Sequence, residues 1–399
     1  MKIAVVGAGI IGATTAYFLA KKGHEVVIFD REPAAAQMCS RANGGQISIC
    51  NAETWNTWKN VRKGLKWMTQ KDAPLLIRPM PSPFKVAWLA GFLWHTVNGT
   101  HKANTLRTIE IGKRSSDLYK VIAQEEQFGF AQTDAGLLHV YTNEHSMSEG
   151  RKSQELFESN GIEWKEVSPA DIIKLDPSLK SFKQLQGGFL TSSDWTGDAQ
   201  AFTKTLVFIT EVRYGARTEF NSEVVSIDRG LLTWKQTGEL LRERFDHVVL
   251  CNAHEMADMA RGLGDFLNIY PVKGYSITLD DPSMAGPMVS LLDDDKKIVS
   301  CHLGSKLRVA GTAELDGANY DIRKERIQPL LNWTQENFPN VDITTYNPWA
   351  CLRPMSSNMM PIVRQSKMKG VWYHGGHGHL GWTLGAATAE QLAEMIGAQ

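Results

Sequence analysis

The chain has few cysteines and no pattern that would organise them. Its 399 residues include five, at Cys39, Cys50, Cys251, Cys301 and Cys351, an odd number without a CxxC pair. A disulfide framework or a structural zinc site would need cysteines paired at characteristic spacings. The scattered positions therefore favour a protein of the reducing cytoplasm and argue against a metal held by thiolates.

Long apolar runs and an excess of one charge are also lacking. No stretch is apolar for the ~20 residues that a bilayer span needs. The 43 basic and 43 acidic residues cancel, so neither a nucleic-acid-binding surface nor an acidic tail is predicted. The chain opens like a signal peptide, with a lysine and an apolar run. However, it continues through Lys21 and Lys22 into another apolar run instead of a small-residue cleavage site. We therefore expect a soluble protein.

The length of the chain predicts two domains. A single core stops growing at ~250–300 residues, and this chain has 399. Internal repeats and low-complexity linkers are lacking as well. Without a linker between them, the two domains are expected to be interleaved, with the chain crossing from one to the other more than once.

Residues 3–30 carry the strongest pattern in the chain, IAVVGAGIIGATTAYFLAKKGHEVVIFD. The segment predicts an apolar strand, a glycine turn, a helix and a second apolar strand. Gly7, Gly9 and Gly12 have the GxGxxG spacing of a dinucleotide-binding fold. In that motif the first glycine permits the sharp turn and the second lets the backbone approach a pyrophosphate. The third allows the helix to pack closely on the sheet.

The flanks of this motif fit the same fold. A helix that starts near Ile10 would direct its free N–H groups at a phosphate. Gly23 stands where a helix-ending glycine belongs. Asp30 ends the second strand, where it can accept hydrogen bonds from ribose hydroxyls. Together these features predict an adenine dinucleotide.

The C-terminal segment distinguishes a flavin from a nicotinamide. GVWYHGGHGHLGWTLG (370–385) predicts a strand, a turn rich in glycine and histidine, and a helix from about Thr383. The pyrimidine edge of a flavin gains electron density on reduction, and a helix N-terminus at that edge would stabilise it. His374, His377 and His379 share the turn, but no cysteine or acid lies nearby. Because a glycine turn gives them no fixed geometry, no metal site is predicted.

The middle of the chain predicts further strands and helices. EFNSEVVSIDRG, LLTWKQ and FDHVVLCNA predict a three-stranded meander. FKVAWLAGFLW (84–94) predicts a helix that is too short to span a membrane, and we favour a buried helix over a membrane-docking one. The polar run 40–46 is either an ordinary connection or a cradle for a cofactor. The tryptophans of the first hundred residues are expected in the core and in the wall of a cleft: Trp55, Trp58, Trp67, Trp88 and Trp94.

Several motifs occur in an order that is typical of one family: VVGAGIIG, HEVVIFDREP, SRANGGQIS, TGDAQAFT, PVKGYSITL, LRPM followed by PIV, and GGHGHLGWT. On these motifs the chain resembles the D-amino-acid oxidase superfamily of flavoproteins nearly from end to end. Within that superfamily it is most similar to the bacterial D-amino acid dehydrogenases of the small-subunit type.

The resemblance implies an α/β fold of two domains. One would be a Rossmann-type FAD-binding domain of the glutathione-reductase-like kind, formed by residues 1–85, 194–262 and 345–399. The other would be an interleaved α+β substrate domain built on an antiparallel sheet, formed by residues 86–193 and 263–344.

The resemblance also implies FAD as the cofactor and residues that would hold it. The phosphates would contact Gly7, Gly9, Ile10, Ile11 and Gly12. The ribose would contact Asp30, and the adenine would lie beside Arg31 and the backbone of Val225. The pyrophosphate and the flavin would be bordered by Ser40, Ala42, Asn43, Gly44 and Gln46. The pyrimidine end would be held by Gly378, His379, Leu380, Gly381, Trp382 and Thr383.

Two further residues would act on the substrate. Arg353, in the LRP motif, matches the family's arginine that clamps the substrate carboxylate, whereas the alternative for it is an ordinary ion pair. Tyr275, in KGYS, falls in a strand that faces the substrate, whereas the alternative is a strand aromatic with a satisfied hydroxyl. Cys351, His379 and Met359 depart from the usual family pattern. These departures leave the flavin assignment in place and put the identity of the substrate in doubt.

The activity implied is oxidative deamination of D-amino acids to 2-oxo acids and ammonia, with hydride transfer from Cα to the flavin N5. A quinone or another acceptor would take the electrons, which would bring the protein to the inner face of a membrane. Two alternatives remain open. One is an imino-acid, glycine or sarcosine-type oxidase or a D-hydroxyproline dehydrogenase. The other is a subunit that binds FAD for structural reasons within a larger complex.

Overall fold

The computed structural model describes residues 1–67, 75–78 and 82–398. The predicted domain segments 1–85 and 345–399 also include residues that lie outside this description. The α-helices are α1 Ile10–Lys21, α2 Trp58–Trp67, α3 Pro83–Val97, α4 His101–Glu126, α5 Glu144–Lys152, α6 Gln154–Ser159, α7 Pro169–Leu175, α8 Ala199–Tyr214, α9 Met256–Gly262, α10 Lys324–Asn337 and α11 Gly381–Gly397.

The strands of the first half of the chain are β1 Lys2–Val6, β2 Glu25–Phe29, β3 Gln46–Ile47, β4 Leu75–Ile77, β5 Leu137–Tyr141, β6 Lys165–Val167, β7 Gly187–Thr191, β8 Trp195–Thr196 and β9 Arg217–Glu219. Those of the second half are β10 Ser222–Asp228, β11 Leu231–Gln236, β12 Glu239–Arg244, β13 His247–Leu250, β14 Ile269–Asp280, β15 Ser290–Asp293, β16 Ile298–Leu303, β17 Lys306–Leu315, β18 Tyr346–Ser356, β19 Ile362–Gln365 and β20 Val371–Gly375.

The first sheet has the strand order β19-β20-β13-β1-β2-β9. Its five strands from β20 to β9 are parallel, and β19 is antiparallel to β20. Residues 3–6 of β1 are all buried, as expected of a central parallel strand covered on both faces. Helices α1, α8 and α11 contribute to the core on one face. The β10-β11-β12 meander and α9 contribute to the core on the other.

The meander differs from the prediction in its third strand. Residues 239–244 form that strand, as β12, whereas the sequence FDHVVL supplies β13 between β1 and β20. The burial pattern gives the reason. The four residues of β13 are all buried, whereas β12 is exposed or partly exposed throughout. A strand that is apolar on both faces gains more by entering the middle of the parallel sheet.

The second sheet has the order β18-β14-β17-β16-β15-β5-β7-β6, with β4 paired to β17. Its pairs are antiparallel except for β15 with β5 and β17 with β4. Along β14, Ile277 and Leu279 pack in a core shared with α10. Val272 and Gly274 line a cavity instead. The α/β fold class, with a Rossmann-type unit and an antiparallel sheet, is confirmed.

The division into domains stays a prediction, and two elements make contacts across the predicted boundaries. Strand β18 belongs to the segment assigned to the FAD-binding domain but pairs with β14 along eleven positions, from Ile269 opposite Ser356 to Leu279 opposite Tyr346. Helix α4 belongs to the segment assigned to the substrate domain. Its residues Leu118, Tyr119 and Ile122 nevertheless lie in the core that α1 and α11 build.

The predicted burial of helix 84–94 is wrong, although the helix itself is present as α3. Trp88 is buried and donates its Nε1–H to Met355 O at 2.7 Å, but Trp94 and Val97 are 66% and 65% exposed. Trp58 on α2 is also exposed, so the expectation for Trp58 and Trp94 fails. The apolar residues occur all round α3, and within the described residues one side of it packs on the second sheet. Within the described residues, no helix is long and apolar enough to cross a membrane.

We expect Gly12→Ala to destabilise the fold strongly. A Cβ at position 12 would lie 1.7 Å from Gly7 O, so α1 would have to move away from the turn that precedes it. Overpacking of this kind costs roughly 3 kcal/mol. The matched control is Gly262→Ala, since a Cβ there meets nothing within 4 Å. Urea unfolding measures both variants. Equal unfolding free energies of the two variants would contradict the close contact between α1 and the turn at Gly7.

Candidate active site

A cavity of about 1310 Å³ lies where the two sheets approach each other. Gly9 and Ser40 reach it from the side of the first sheet, and Gly274 and Arg353 reach it from the second sheet. The cavity is lined by most of the residues that the sequence predicts for the cofactor: Gly9, Ile10, Ile11, Ser40, Ala42, Asn43, Gly44, Gln46, Gly378, His379, Leu380, Gly381, Trp382 and Thr383.

The turn between β1 and α1 is shaped by its glycines. Gly7 has φ +109° and donates its N–H to Phe29 O at 2.7 Å. A Cβ at Gly7 would lie 2.7 Å from Cys251 O, whereas a Cβ at Gly9 would meet only Ser40 Oγ, at 3.4 Å. Gly7 and Gly12 therefore serve close packing of the protein, and Gly9 leaves room on the cavity side. A group that approaches the backbone closely, as a pyrophosphate does, fits this space.

The residues expected around the ribose and adenine lie outside the cavity lining. Asp30 accepts hydrogen bonds from Ala8 N at 2.6 Å and Glu32 N at 2.9 Å, and burial raises the pKa of its carboxyl. Arg31 is paired with Glu255. Val225 is half exposed and lies at a register shift in β10.

The loop 40–46 is tied to both sides of the cavity. Ser40 Oγ accepts a hydrogen bond from Ile10 N at 2.9 Å, at the start of α1. On the other side, Ala42 O accepts from Ser276 Oγ and Asn43 O accepts from Arg308 Nη1, each at 2.8 Å. Of the two interpretations left open for this run, the geometry fits a cradle, because its backbone is held against the cavity.

The C-terminal turn joins the same loop. Trp382 Nε1 donates to Gly45 O at 3.3 Å, which connects α11 to the cradle. His379 stacks on Trp55, with ring centroids 4.4 Å apart. Its Nε2 is buried without a hydrogen-bond partner among the described residues. Burial, assisted by the charge of Arg353, lowers the pKa of His379 to about 3.

His374 and His377 form hydrogen bonds with threonines. The Oγ1 atom of Thr388 lies 2.9 Å from Nε2 of both histidines, and Thr15 Oγ1 lies 2.7 Å from Nδ1 of His374. Burial lowers the pKa of both rings, that of His377 to about 3. In the part of the chain that the structure describes, no cluster of His, Cys, Asp or Glu has the arrangement of a metal site.

Arg353 presents its charge to the cavity without a counter-ion. Its Nη1 donates to Thr312 O at 3.3 Å, and no carboxylate among the described residues lies within ion-pair distance. Burial lowers its pKa, yet the guanidinium stays charged at neutral pH. A half-buried cation of this kind favours an anionic partner.

Gly274 makes room for that guanidinium and was missed by the sequence analysis. A Cβ at Gly274 would lie 2.3 Å from Arg353 Cζ. Glycine is the only residue type that lets the side chain of β18 cross the neighbouring strand here. The signal was available, because a glycine inside a strand often marks close approach of another group.

Tyr275 contributes to the cavity wall, but its hydroxyl is already bonded elsewhere. The hydroxyl donates to Glu314 Oε2 at 2.6 Å, and Glu314 is also paired with Arg323 Nη1 at 2.6 Å. The ring lies in the core beside α10. Burial raises the pKa of this phenol. The geometry corresponds to the strand aromatic with a satisfied hydroxyl.

A second charged cluster in the cavity wall was also missed. Asp294 accepts from Lys297 Nζ at 2.7 Å and lies 2.8 Å from His139 Nδ1. Burial raises the pKa of Asp294, but Lys297 and His139 outweigh it and hold the pKa below its usual value. No local pattern indicates this cluster, because His139 lies 155 positions from Asp294.

Comparison with known proteins agrees with this geometry. Residues 2–395 match the family described as FAD dependent oxidoreductase, DAO. The chain is 41% identical over 403 residues to D-amino acid dehydrogenase 3 of Mesorhizobium japonicum, covering 99% of this chain and 97% of that one. It is 34% identical over 409 residues to D-amino acid dehydrogenase of Dechloromonas aromatica, with the same coverage. Glycine oxidase of Bacillus cereus shares the fold, with a TM-score of 0.76 at 17% identity over 100% of this chain and 95% of that one.

Fold and cavity thus define a flavoprotein with its site between two sheets. The chain belongs to the DAO family of FAD-dependent oxidoreductases, and its cofactor is FAD. The predictions of family and cofactor are confirmed. The residues around the cavity fit this cofactor, because Gly9 leaves space beside the backbone and α1 directs its N-terminus at that space.

We expect the stability of the protein to fall as the pH drops below 6.5. The unfolded chain protonates His377 near pH 6.5 and the folded chain near pH 3, so protons favour unfolding within this window. At pH 5 the loss from this residue is about 2 kcal/mol. His377→Gln should reduce the fall in unfolding free energy between pH 7 and pH 5 by that amount. His145→Gln is the control, because His145 is exposed. Identical pH slopes in all three proteins would contradict the assignment.

Proposed function

We propose that the chain catalyses the oxidative deamination of D-amino acids to 2-oxo acids and ammonia. The observation that carries the proposal is the guanidinium of Arg353, which has no carboxylate partner among the described residues and lines the cavity together with the C-terminal glycine turn. It is supported by the relatives named D-amino acid dehydrogenase, at 41% and 34% identity over nearly the whole chain.

The cofactor would lie along the cavity from the β1–α1 turn to the C-terminal turn. We assign the cavity-lining residues given above to its phosphates and flavin. Asp30, Arg31 and Val225 are assigned to the ribose and adenine, and Gly7 and Gly12 to the shape of the turn. Asp30 can take part while it keeps its two backbone bonds, because a carboxylate has about four acceptor positions.

The substrate would be held by its carboxylate. Arg353 has a fork of donors that matches a carboxylate in two parallel hydrogen bonds, and its charge does not depend on pH. When bound, FAD supplies the two-electron acceptor for the hydride that leaves the substrate Cα. Trp55 and His379, which is kept neutral by its surroundings, would form a stacked wall beside the carboxylate. The ring of Tyr275 would complete the wall, and its hydroxyl would stay with Glu314.

The acceptor would be a quinone dissolved in a membrane. Leu65 of α2 and Leu93 of α3 both line the cavity. These helices also expose apolar side chains, including Trp58 at 53% and Trp94 at 66% exposure, and α2 carries the exposed basic residue Arg62. Aromatic and basic side chains on one surface are typical of peripheral contact with an anionic bilayer.

Removal of the guanidinium tests the substrate site. Arg353→Ala should lower kcat/KM by a factor of ~30 to 5,000, because truncating one partner of a buried charge pair costs about 2–5 kcal/mol. Arg353→Lys should recover part of the loss, since an ammonium lacks the fork. Gly274→Ala should raise KM by displacing the guanidinium. Steady-state kinetics with a D-amino acid measures all three.

The control for this series is Arg151→Ala, because Arg151 lies on the surface and pairs with Glu144 and Glu166. The flavin absorbance should be the same in every variant. If Arg353→Ala turned over the substrate as well as Arg151→Ala, the carboxylate would bind elsewhere.

We expect D-amino acids to bleach the bound flavin and L-amino acids to leave it oxidised. Arg353 fixes the carboxylate and the flavin face fixes the direction of the Cα–H, so one enantiomer alone presents its hydrogen. The choice of the D-enantiomer rests on the relatives named D-amino acid dehydrogenase. A soluble quinone should then reoxidise the flavin much faster than oxygen does. Anaerobic stopped-flow absorbance, followed by mixing with quinone or with air-saturated buffer, measures both steps.

The same assay separates the alternatives. Preferred bleaching by glycine, sarcosine or a cyclic imino acid, with rapid formation of peroxide in air, would identify an oxidase. Bleaching by D-hydroxyproline alone would identify a hydroxyproline dehydrogenase. A flavin that no amine substrate reduces would identify a structural subunit.

A further inference from the structure

Two cysteines meet at the edge of the cavity. The Sγ atoms of Cys39 and Cys351 are 2.9 Å apart, and both residues line the cavity. Cys39 follows β2 in the chain and Cys351 lies in β18, so the pair connects the two sheets. A disulfide has an S–S bond of about 2.05 Å, so the sulfurs would need to approach by less than about 1 Å.

The other three cysteines are placed differently, and burial raises the pKa of the Cys50 thiol. Cys251 Sγ lies 3.9 Å from Thr15 Oγ1, and Cys301 Sγ donates to Gly44 O at 3.3 Å. Burial raises the pKa of both thiols to about 12. The hydrogen bond from Cys351, assisted by the charge of Arg353, lowers the pKa of Cys39 instead. Cys39 is thus the thiol of the pair that is better able to react as a thiolate.

We propose that Cys39 and Cys351 form a reversible disulfide when the protein meets a hydroperoxide, and that this bond changes how Arg353 holds a carboxylate. The cavity gives a small oxidant access to both sulfurs. Nothing in the assignment of cofactor or substrate residues uses either side chain.

The reaction balances with hydrogen peroxide as the oxidant. The Cys39 thiolate attacks one peroxide oxygen, the O–O bond breaks, and hydroxide leaves while Cys39 becomes a sulfenic acid. The Cys351 sulfur then attacks the Cys39 sulfur. The S–S bond forms as the S–O bond breaks, and the Cys351 proton leaves with the hydroxyl as water. The two sulfurs lose two electrons in total and the peroxide gains two. A dithiol reductant reverses the change by thiol–disulfide exchange.

The bond would act on Arg353 through β18. Cys351 precedes Arg353 by two residues in that strand, and Cys39 Sγ also donates to the carbonyl of the intervening Leu352 at 3.0 Å. Formation of the disulfide removes this donor and draws Cys351 towards the loop after β2. Because the guanidinium fits closely over Gly274, a small movement of β18 changes the position of the guanidinium in the cavity.

The experiment uses the FAD-loaded protein, reduced and then treated with one equivalent of hydrogen peroxide. Free thiols after denaturation should fall from five to three, and peptide mapping should link the Cys39 and Cys351 peptides. The dissociation constant for benzoate, read from the flavin absorbance, should change by roughly threefold or more. A dithiol reductant should restore both values.

Two variants sharpen the test. Cys301→Ala should still form the bond, because Cys301 lies outside the cavity lining. Cys351→Ser should form none and should leave a sulfenic acid on Cys39 that a dione reagent traps.

A disulfide between other cysteines, or no loss of thiols, would overturn the proposal. A Cys39–Cys351 bond with unchanged benzoate binding would overturn the link to Arg353. Thiol mapping needs no turnover, so failure here is distinguishable from failure of the proposed activity, on which the role of Arg353 rests.

Discussion

The hydrogen bonds of the loop 40–46 connect the walls of the cavity to one another. Ser40 of this loop accepts a hydrogen bond from the N-terminus of α1, and two carbonyl groups of the loop accept from Ser276 and Arg308 of the second sheet. Trp382 adds a bond from the C-terminal helix to Gly45. Because these carbonyl groups face the protein, the opposite edge of the loop is free to face the cavity. The positions of the glycine turn, of Arg353 and of the C-terminal turn relative to one another all depend on this connection.

The sequence allowed accurate prediction wherever local chemistry decides the structure. Helix α1 begins at Ile10 as expected, and α11 begins at Gly381, two residues before its predicted start. Prediction failed where the outcome depends on distant partners. Whether an apolar helix is buried depends on what covers it, and the residues that the structure describes cover α3 on one side only. Gly274 and the contact between Cys39 and Cys351 depend on strand register, which no local pattern of these residues encodes.

The arginine in the cavity illustrates a conflict between stability and function. A guanidinium with one carbonyl partner in a half-buried site costs free energy that an acidic neighbour would offset. Such a neighbour would also occupy the position that a substrate carboxylate needs. Two acids of the surrounding structure are paired with other groups: Glu314 binds Arg323 and Tyr275, and Asp294 binds Lys297. Their pairing leaves the charge of Arg353 available to an anionic substrate.

The order of strands in the first sheet has a consequence for synthesis of the protein on the ribosome. Strand β1 emerges long before its neighbour β13, which pairs from position 247 onwards, and before β20, which follows at 371. The sheet beside the turn between β1 and α1 therefore cannot be completed until most of the chain has been synthesised. Contacts of such long sequence separation form slowly and leave apolar edges exposed meanwhile. The nascent chain must keep the apolar residues of β1 and β2 from aggregating for as long as translation of the remaining residues lasts.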